Sequence, residues 1–316
     1  MATGYFTHRD CWLHDMGAGH PECAARLDAI EDRLLISGVM DVLQRHDAPK
    51  ASIYDLELAH SRMHVAAMRG LDLLMQEEIA AGGDGYSQID TDTLLSPHTW
   101  NAALRAAGAV VAATDMVIEG RLDNAFCAVR PPGHHAERDK AMGFCFFNNI
   151  AVGAKYALQR RQLERVAVID FDVHHGNGTE DILAGDARTL MVSFFQSPFF
   201  PNSGEQAKGE NMCNIPVPAY TKGMDVREII DMMWVPRLEA FKPQMIFISA
   251  GFDAHRDDDM GQLMLSESDY AWITQLIVDI ARRHAGGRIV SSLEGGYVME
   301  PLARSVEAHV RVLAGL

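Results

Sequence analysis

The sequence predicts an α/β fold, a mostly parallel sheet with helices over both faces, and three observations carry that prediction. From Ala125 onward, short apolar runs alternate with helical patterns, and strands that alternate with helices pair in parallel while the helices close over them. A length of 316 residues with 48% hydrophobic content supplies ample core for one large domain, residues 1–316, and no repeat, linker or low-complexity segment divides it. Several apolar runs end in carboxylates, imidazoles and glycines, as strands do where an open parallel sheet offers its carboxyl edge to a ligand.

Taken in order, Gly4-Tyr5-Phe6 reads as a short strand leading to a loop with Gly17, Gly19 and His20. Pro21 at a first helical position, followed by Glu22, starts a helix whose core face is Leu27, Ile30, Leu34 and Leu35. A second helix over 61–81 stops at Gly82-Gly83, and a loop with Asp90 and Asp92 follows. Ser96-Pro97 then caps a long alanine-rich helix broken by Gly120. Beyond it come strands over 125–129, 166–170, 190–194, 245–249 and 288–293. Helices follow Asn148, cover 226–241, begin at Ser266 and close the chain after Pro301; Ser266 with Asp269 forms a capping-box pattern.

Composition narrows the function. No stretch approaches the ~20 uninterrupted apolar residues of a membrane helix, and the N-terminus has no signal-peptide pattern, so a cytoplasmic chain with no membrane partner is expected. Cys11, Cys23, Cys127, Cys145 and Cys213 are odd in number and never in C-x-x-C spacing, which points to reduced thiols rather than disulfides or a thiolate metal site. A net charge of -15 opposes direct binding of nucleic acid, whose phosphates need a basic surface. That charge suits a cationic substrate and equally serves solubility.

The run from Val166 to Gly178, V-A-V-I-D-F-D-V-H-H-G-N-G, concentrates the chemistry. Asp170, Asp172 and His174 occupy alternate positions of an extended chain and so point the same way. Three other strand ends lead to R-P-P-G-H-H, A-G-F-D-A-H and E-G-G-Y, so carboxylates, imidazoles and a phenol converge on one edge. Asp172, His174 and Asp253 offer two carboxylates and one nitrogen with positions left open, the pattern of a catalytic zinc site, which ferrous iron could also use. His134 and His135 are suited to proton transfer near neutral pH, and Tyr297 to hydrogen-bonding a developing oxyanion.

The segments R-P-P-G-H-H-A, G-F-C-F-F-N-N, D-F-D-V-H-H-G-N-G-T, S-A-G-F-D-A-H and E-G-G-Y resemble the zinc-dependent histone deacetylase family, in its class II form. The resemblance runs from His20 to Tyr297 and includes acetylpolyamine amidohydrolases and bacterial deacetylase-like enzymes. It implies the three-layer arginase-deacetylase fold and hydrolysis of an acetylated lysine or a small acylated amine to acetate and free amine. It also implies zinc on Asp172, His174 and Asp253; His134 and His135 as the tandem histidines, with His135 the general base and acid; Asp170 orienting His134; and Tyr297 polarising the carbonyl. A structural potassium ion would be held by Asp170, Asp172, His174, Ser193 and Phe194. Gly143, Phe144, Phe200 and Met260 would shape the acyl-lysine tunnel, and Arg26 matches an arginine of the acetate-release channel, though a helix arginine four residues past Glu22 serves equally as a surface ion-pair partner. Cys145 reads as a small buried hydrophobe.

Two departures bear on chemistry. Asn177 stands where some relatives pair an Asp with the second histidine, so His135 is expected to be harder to protonate. Met260 stands where a polyamine-selective member has an acidic gatekeeper, which weighs against acetylpolyamine as substrate, although Asp257 to Asp259 lie beside it. An arginase-like hydrolase would need a two-metal ligand set, and a catalytically silent acyl-lysine binding protein would have no use for intact tandem histidines and Tyr297. A homo-oligomer is compatible with the sequence.

Overall fold

A computed structural model describes residues 1–316. Its centre is one eight-stranded sheet built from β1 (Thr3–Thr7), β2 (Gln44–Asp47), β3 (Asn124–Cys127), β4 (Val166–Asp170), β5 (Thr189–Gln196), β6 (Met212–Val217), β7 (Met245–Ala250) and β8 (Ile289–Leu293). The spatial order is β2-β1-β3-β8-β7-β4-β5-β6, and every neighbouring pair is parallel. Strands β3, β4, β7 and β8 are buried at every residue, which is why they read as continuous apolar runs instead of alternating ones. They are also four adjacent strands, so the four chemically rich ends lie side by side at mid-sheet.

Helices α1 (Ala25–Ile36), α2 (Arg62–Ala80), α3 (Thr99–Ile118), α4 (Asn149–Gln159), α5 (Asn177–Leu183), α6 (Gly223–Ile229), α7 (Val235–Phe241), α8 (Glu267–His284) and α9 (Met299–Ala314) cover the sheet. One layer packs α1 against α9 and α9 against α8; the other packs α3 against α4 and α4 against α5, with α2 outside α3. The α3 helix is long and apolar enough to cross a membrane by length and composition, but its alanine face is spent on the sheet and its neighbours. A Cβ at Gly108 in α3 would sit 2.0 Å from the Pro49 carbonyl oxygen, so this helix approaches the 49–51 backbone more closely than any side chain permits.

The structure corrects several element boundaries. α1 begins at Ala25, four residues after Pro21, because Glu22 is drawn inward to Arg130. Its buried face is Arg26, Leu27, Ile30 and Leu34, whereas Leu35 is exposed. α3 starts at Thr99 behind His98, with the Ser96 amide bonded to the Thr99 hydroxyl. The predicted 226–241 helix is α6 and α7 joined by a π-helical turn, Ile230–Trp234. Ser266 and Asp269 do form the capping pattern, the Asp269 carboxylate accepting from the Ser266 amide at 2.9 Å. Within this sheet the two strands the sequence reading lacks, β2 and β6, are the edges: Gln44–Asp47 is polar and mostly exposed, and Pro216 interrupts the apolar pattern of β6.

Candidate active site

The chain after β4 brings Asp172 and His174 beside Asp253, which follows β7. One ligand atom from each lies within 4.8 Å of the others, and all three residues are buried. His174 Nδ1 is 3.0 Å from Asp172 Oδ1 and 3.2 Å from Asp253 Oδ2. The remaining carboxylate valences are held by backbone amides: Asp172 Oδ2 accepts from Gly295 and Asp253 Oδ1 from Val173, each at 2.9 Å. A Cβ at Gly295 would lie 2.0 Å from Asp253 Oδ2, so glycine is required for that strand end to come so close.

This group fits a divalent cation. Asp253 Oδ2 is buried without a hydrogen-bond partner, and two carboxylates share one imidazole nitrogen. Burial alone would lower the His174 pKa, yet Asp172 and Asp253 push it up to about 10, which marks a site that demands positive charge. Two oxygens and one nitrogen are a donor set for zinc or ferrous iron.

The tandem histidines follow β3 through Arg130-Pro131-Pro132-Gly133. Glu294 Oε2 holds their loop by accepting from the Gly133 and His134 amides at 2.6 and 3.1 Å. His134 Nδ1 lies 3.0 Å from Asp170 Oδ2, and His135 Nδ1 lies 2.8 Å from Asn177 Oδ1. An amide oxygen only accepts, so His135 Nδ1 carries the proton and its Nε2 keeps the lone pair. The two rings are 4.0 Å apart and separate in basicity. Burial lowers His134, but Asp172 and Asp170 outweigh it and raise its pKa well above the ordinary value; burial, with His134 and His174 beside it, holds His135 well below.

A cavity of about 220 Å³ opens onto this centre, lined by Asp92, His135, Gly143, Phe144, His174, Phe199, Phe200, Asp259, Met260 and Tyr297. All four predicted tunnel residues are among them. Gly143 and Phe144 both have left-handed φ, 56° and 68°, a tight turn that aims the Phe144 ring at Tyr297, 6.0 Å away and edge-on. Phe200 meets the His135 ring edge-on at 5.1 Å, while Phe199, absent from the sequence reading, stacks on His174 at 5.4 Å. Burial, then the Asp253 carboxylate, raises the Tyr297 pKa well above that of an ordinary phenol, so its hydroxyl keeps its proton.

Behind Tyr297 lies a buried charged cluster. Arg26 is fully buried, not a surface residue: it donates to Glu22 at 3.2 Å, to the Gly296 carbonyl at 2.7 Å and to the Glu294 carbonyl, with its guanidinium 5.0 Å from the Tyr297 ring centre. Arg130 grips the other side of Glu22 at 2.5 and 2.8 Å. Cys145 is buried, its thiol on the Gly143 carbonyl, and burial raises its pKa well above the ordinary thiol value. Ser193 pairs in register with Asp170 across β4 and β5, and its buried hydroxyl has no protein partner.

Several contributors have no role in the sequence reading. Besides Glu294 and Phe199, His175 latches the loop that carries both phenylalanines: its Nδ1 is 2.9 Å from the Ser203 hydroxyl and its Nε2 3.2 Å from Glu180. Asn214 completes the latch, donating to Glu180 at 2.7 Å and to the Gly204 carbonyl at 3.1 Å. The H-H pair was the available signal, since a second histidine beside a ligand needs a partner of its own.

Residues 20–313 match the family model described as a histone deacetylase domain. The histone deacetylase-like amidohydrolase of Pseudomonas aeruginosa is 38% identical over 287 residues, covering 89% of this chain and 73% of that protein. The polyamine deacetylase HDAC10 of Mus musculus is 35% identical over 306 residues, 93% of this chain, and the chain spans 45% of its length. Among solved structures, the crystal structure of the HDA15 HD domain aligns with a TM-score of 0.90 at 31% identity, covering 99% of this chain and 90% of that one.

Proposed function

The chain belongs to the histone deacetylase family and is a hydrolytic deacetylase, and we propose that it cleaves the amide of an acylated lysine or small acylated amine to a carboxylate and a free amine. The observation that carries this reading is the single cavity lined at once by His135, by His174 of the metal-binding group and by Tyr297. Asp172, His174 and Asp253 would hold the ion, zinc in our reading with ferrous iron as the alternative. Such an ion supplies Lewis acidity to the amide carbonyl and lowers the pKa of a water.

The chain's own groups divide the remaining work. His135 Nε2, kept unprotonated by Asn177 on the opposite nitrogen, takes a proton from the attacking water and returns it to the leaving amine. His134, held by Asp170, stays protonated and favours the negative charge that develops. Tyr297 donates its hydroxyl to the carbonyl oxygen as that oxygen becomes an oxyanion. Phe144 and Phe200 would flank a thin aliphatic stem and keep water out. The Asp170 side chain and the Ser193 hydroxyl, the latter buried without a protein partner, would with the carbonyls of Asp172, His174 and Phe194 hold a structural potassium ion.

One observation favours a second reading, an acetylated polyamine as substrate: Asp92 and Asp259 both line the cavity, and carboxylates there would attract a second ammonium group. A panel of acetyl-lysine peptides, acetylpolyamines and longer acyl-lysines, run with zinc and with ferrous iron, separates the two. We expect acetate release from acetyl-lysine peptides. A strong preference for acetylpolyamines would transfer the reading to the second, and no hydrolysis of any member would end both.

A further inference from the structure

Three consecutive aspartates follow the metal-binding loop, and they differ. Asp257 is exposed, Asp259 lines the cavity, and Asp258 is buried at 5% exposure. Asp258 is therefore unavailable to a substrate ammonium, and its oxygens are committed to backbone amides. Oδ1 accepts from the Met260 amide at 2.9 Å; Oδ2 accepts from the Tyr297 amide at 2.6 Å and the Val298 amide at 3.1 Å. Val298 is the N-cap of α9, and its apolar side chain satisfies none of the helix's first amides. Asp258, 40 residues upstream, accepts from the amide of this N-cap residue, with its negative charge at the positive end of the helix.

On the reading of Tyr297 as the oxyanion donor, we infer that Asp258 is a positioning residue: it ties the loop bearing Asp253 and Met260 to the backbone of Tyr297 and so sets where the phenol meets the substrate. The preceding residues have their own anchors, Gly295 on Asp172 and the Gly296 carbonyl on Arg26. Without Asp258, the backbone from Tyr297 into α9 loses two of its ties, and the residue that must aim the hydroxyl becomes the joint between two fixed segments. Asp258→Asn is the informative substitution because shape is kept while one oxygen becomes an amino group. That group then faces an N–H, at Met260 or at Tyr297 and Val298, and one side of the clamp opens.

The test is a double-mutant cycle on the metal-reconstituted protein with an acetyl-lysine peptide: wild type, D258N, Y297F and D258N/Y297F, with melting temperature and metal content measured for each. A residue acting through Tyr297 lowers kcat by about tenfold or more when Tyr297 is present, with KM little changed, and by less than about twofold when it is absent. Equal fold-losses in both backgrounds, or no loss in either, overturn the inference. If Y297F by itself keeps full activity, the role of Tyr297 has failed, and Asp258 is judged by a second readout. This is the fluorine resonance of Tyr297 in protein labelled with 3-fluorotyrosine, identified by its loss in Y297F. A shifted or broadened resonance in D258N upholds the positioning role and an unmoved one overturns it. Should D258N not fold, D258S, whose hydroxyl still accepts from an amide, takes its place in the same comparisons.

Discussion

At the scale of single residues, the site works by giving chemically similar groups different hydrogen-bond partners. Two adjacent histidines diverge because one faces a carboxylate and the other an amide oxygen, so one holds a proton and the other a lone pair. Tyr297→Phe removes only the hydroxyl proposed to meet the oxyanion and is expected to lower kcat by about 10²-fold with metal content unchanged; activity within a few-fold of wild type would remove Tyr297 from the mechanism. The positions of Asp172, His174, Asp253, His135 and Tyr297 were legible in the sequence because titratable groups at the ends of apolar strands have no packing purpose. Asp258, Glu294 and His175 were not legible. Each is buried and serves residues 28 to 161 positions away along the chain, through bonds to backbone or to a partner that no local pattern reveals.

At the scale of elements, the four central strands could be read as runs of apolar residues because both faces of each are covered, whereas the edge strands β2 and β6 lacked that pattern and were missed. Helix starts slid by two to four residues at Pro21 and Ser96 because tertiary partners, Arg130 for Glu22 and Thr99 for Ser96, claimed residues that local rules assign to the helix. Function at this scale rests on the loop after β5, whose Phe199 and Phe200 form one wall of the cavity. Gly204 in that loop has a φ of 92°, and a Cβ there would lie 2.6 Å from the His175 ring. Gly204→Ala should displace the wall and raise KM for an acetyl-lysine peptide by about tenfold, with metal content at the wild-type level. An unchanged KM would show that the latch does not govern the cavity.

At the scale of the whole molecule, the fold hides neutral imidazoles that acid must charge. Burial holds His309 at about 3, where it bridges the Thr274 and Ser291 hydroxyls at 2.7 and 2.9 Å, and burial with His64 beside it holds His60 at about 3. Both lie below the unfolded value of 6.5, so between those limits the unfolded chain binds more protons than the folded one. Their contribution is complete above pH 6.5 and is lost as pH falls towards 3, a few kcal/mol each by order of magnitude. Replacing His309 by Gln should flatten the dependence of unfolding free energy on pH between 4 and 6 by about 1.4 kcal/mol per pH unit, one proton's worth; parallel curves for the two proteins would contradict this. The same enclosed architecture gathers one metal-binding group, one base and one phenol at mid-sheet, and hydrolysis dependent on that group is the central claim. It is tested most directly by stripping the protein with a chelator, adding back zinc in steps, and following acetate release from an acetyl-lysine peptide alongside bound metal. Activity should vanish on stripping and return in proportion to zinc up to one ion per chain; hydrolysis that survives stripping, or a fully loaded protein that releases no acetate, would contradict the account.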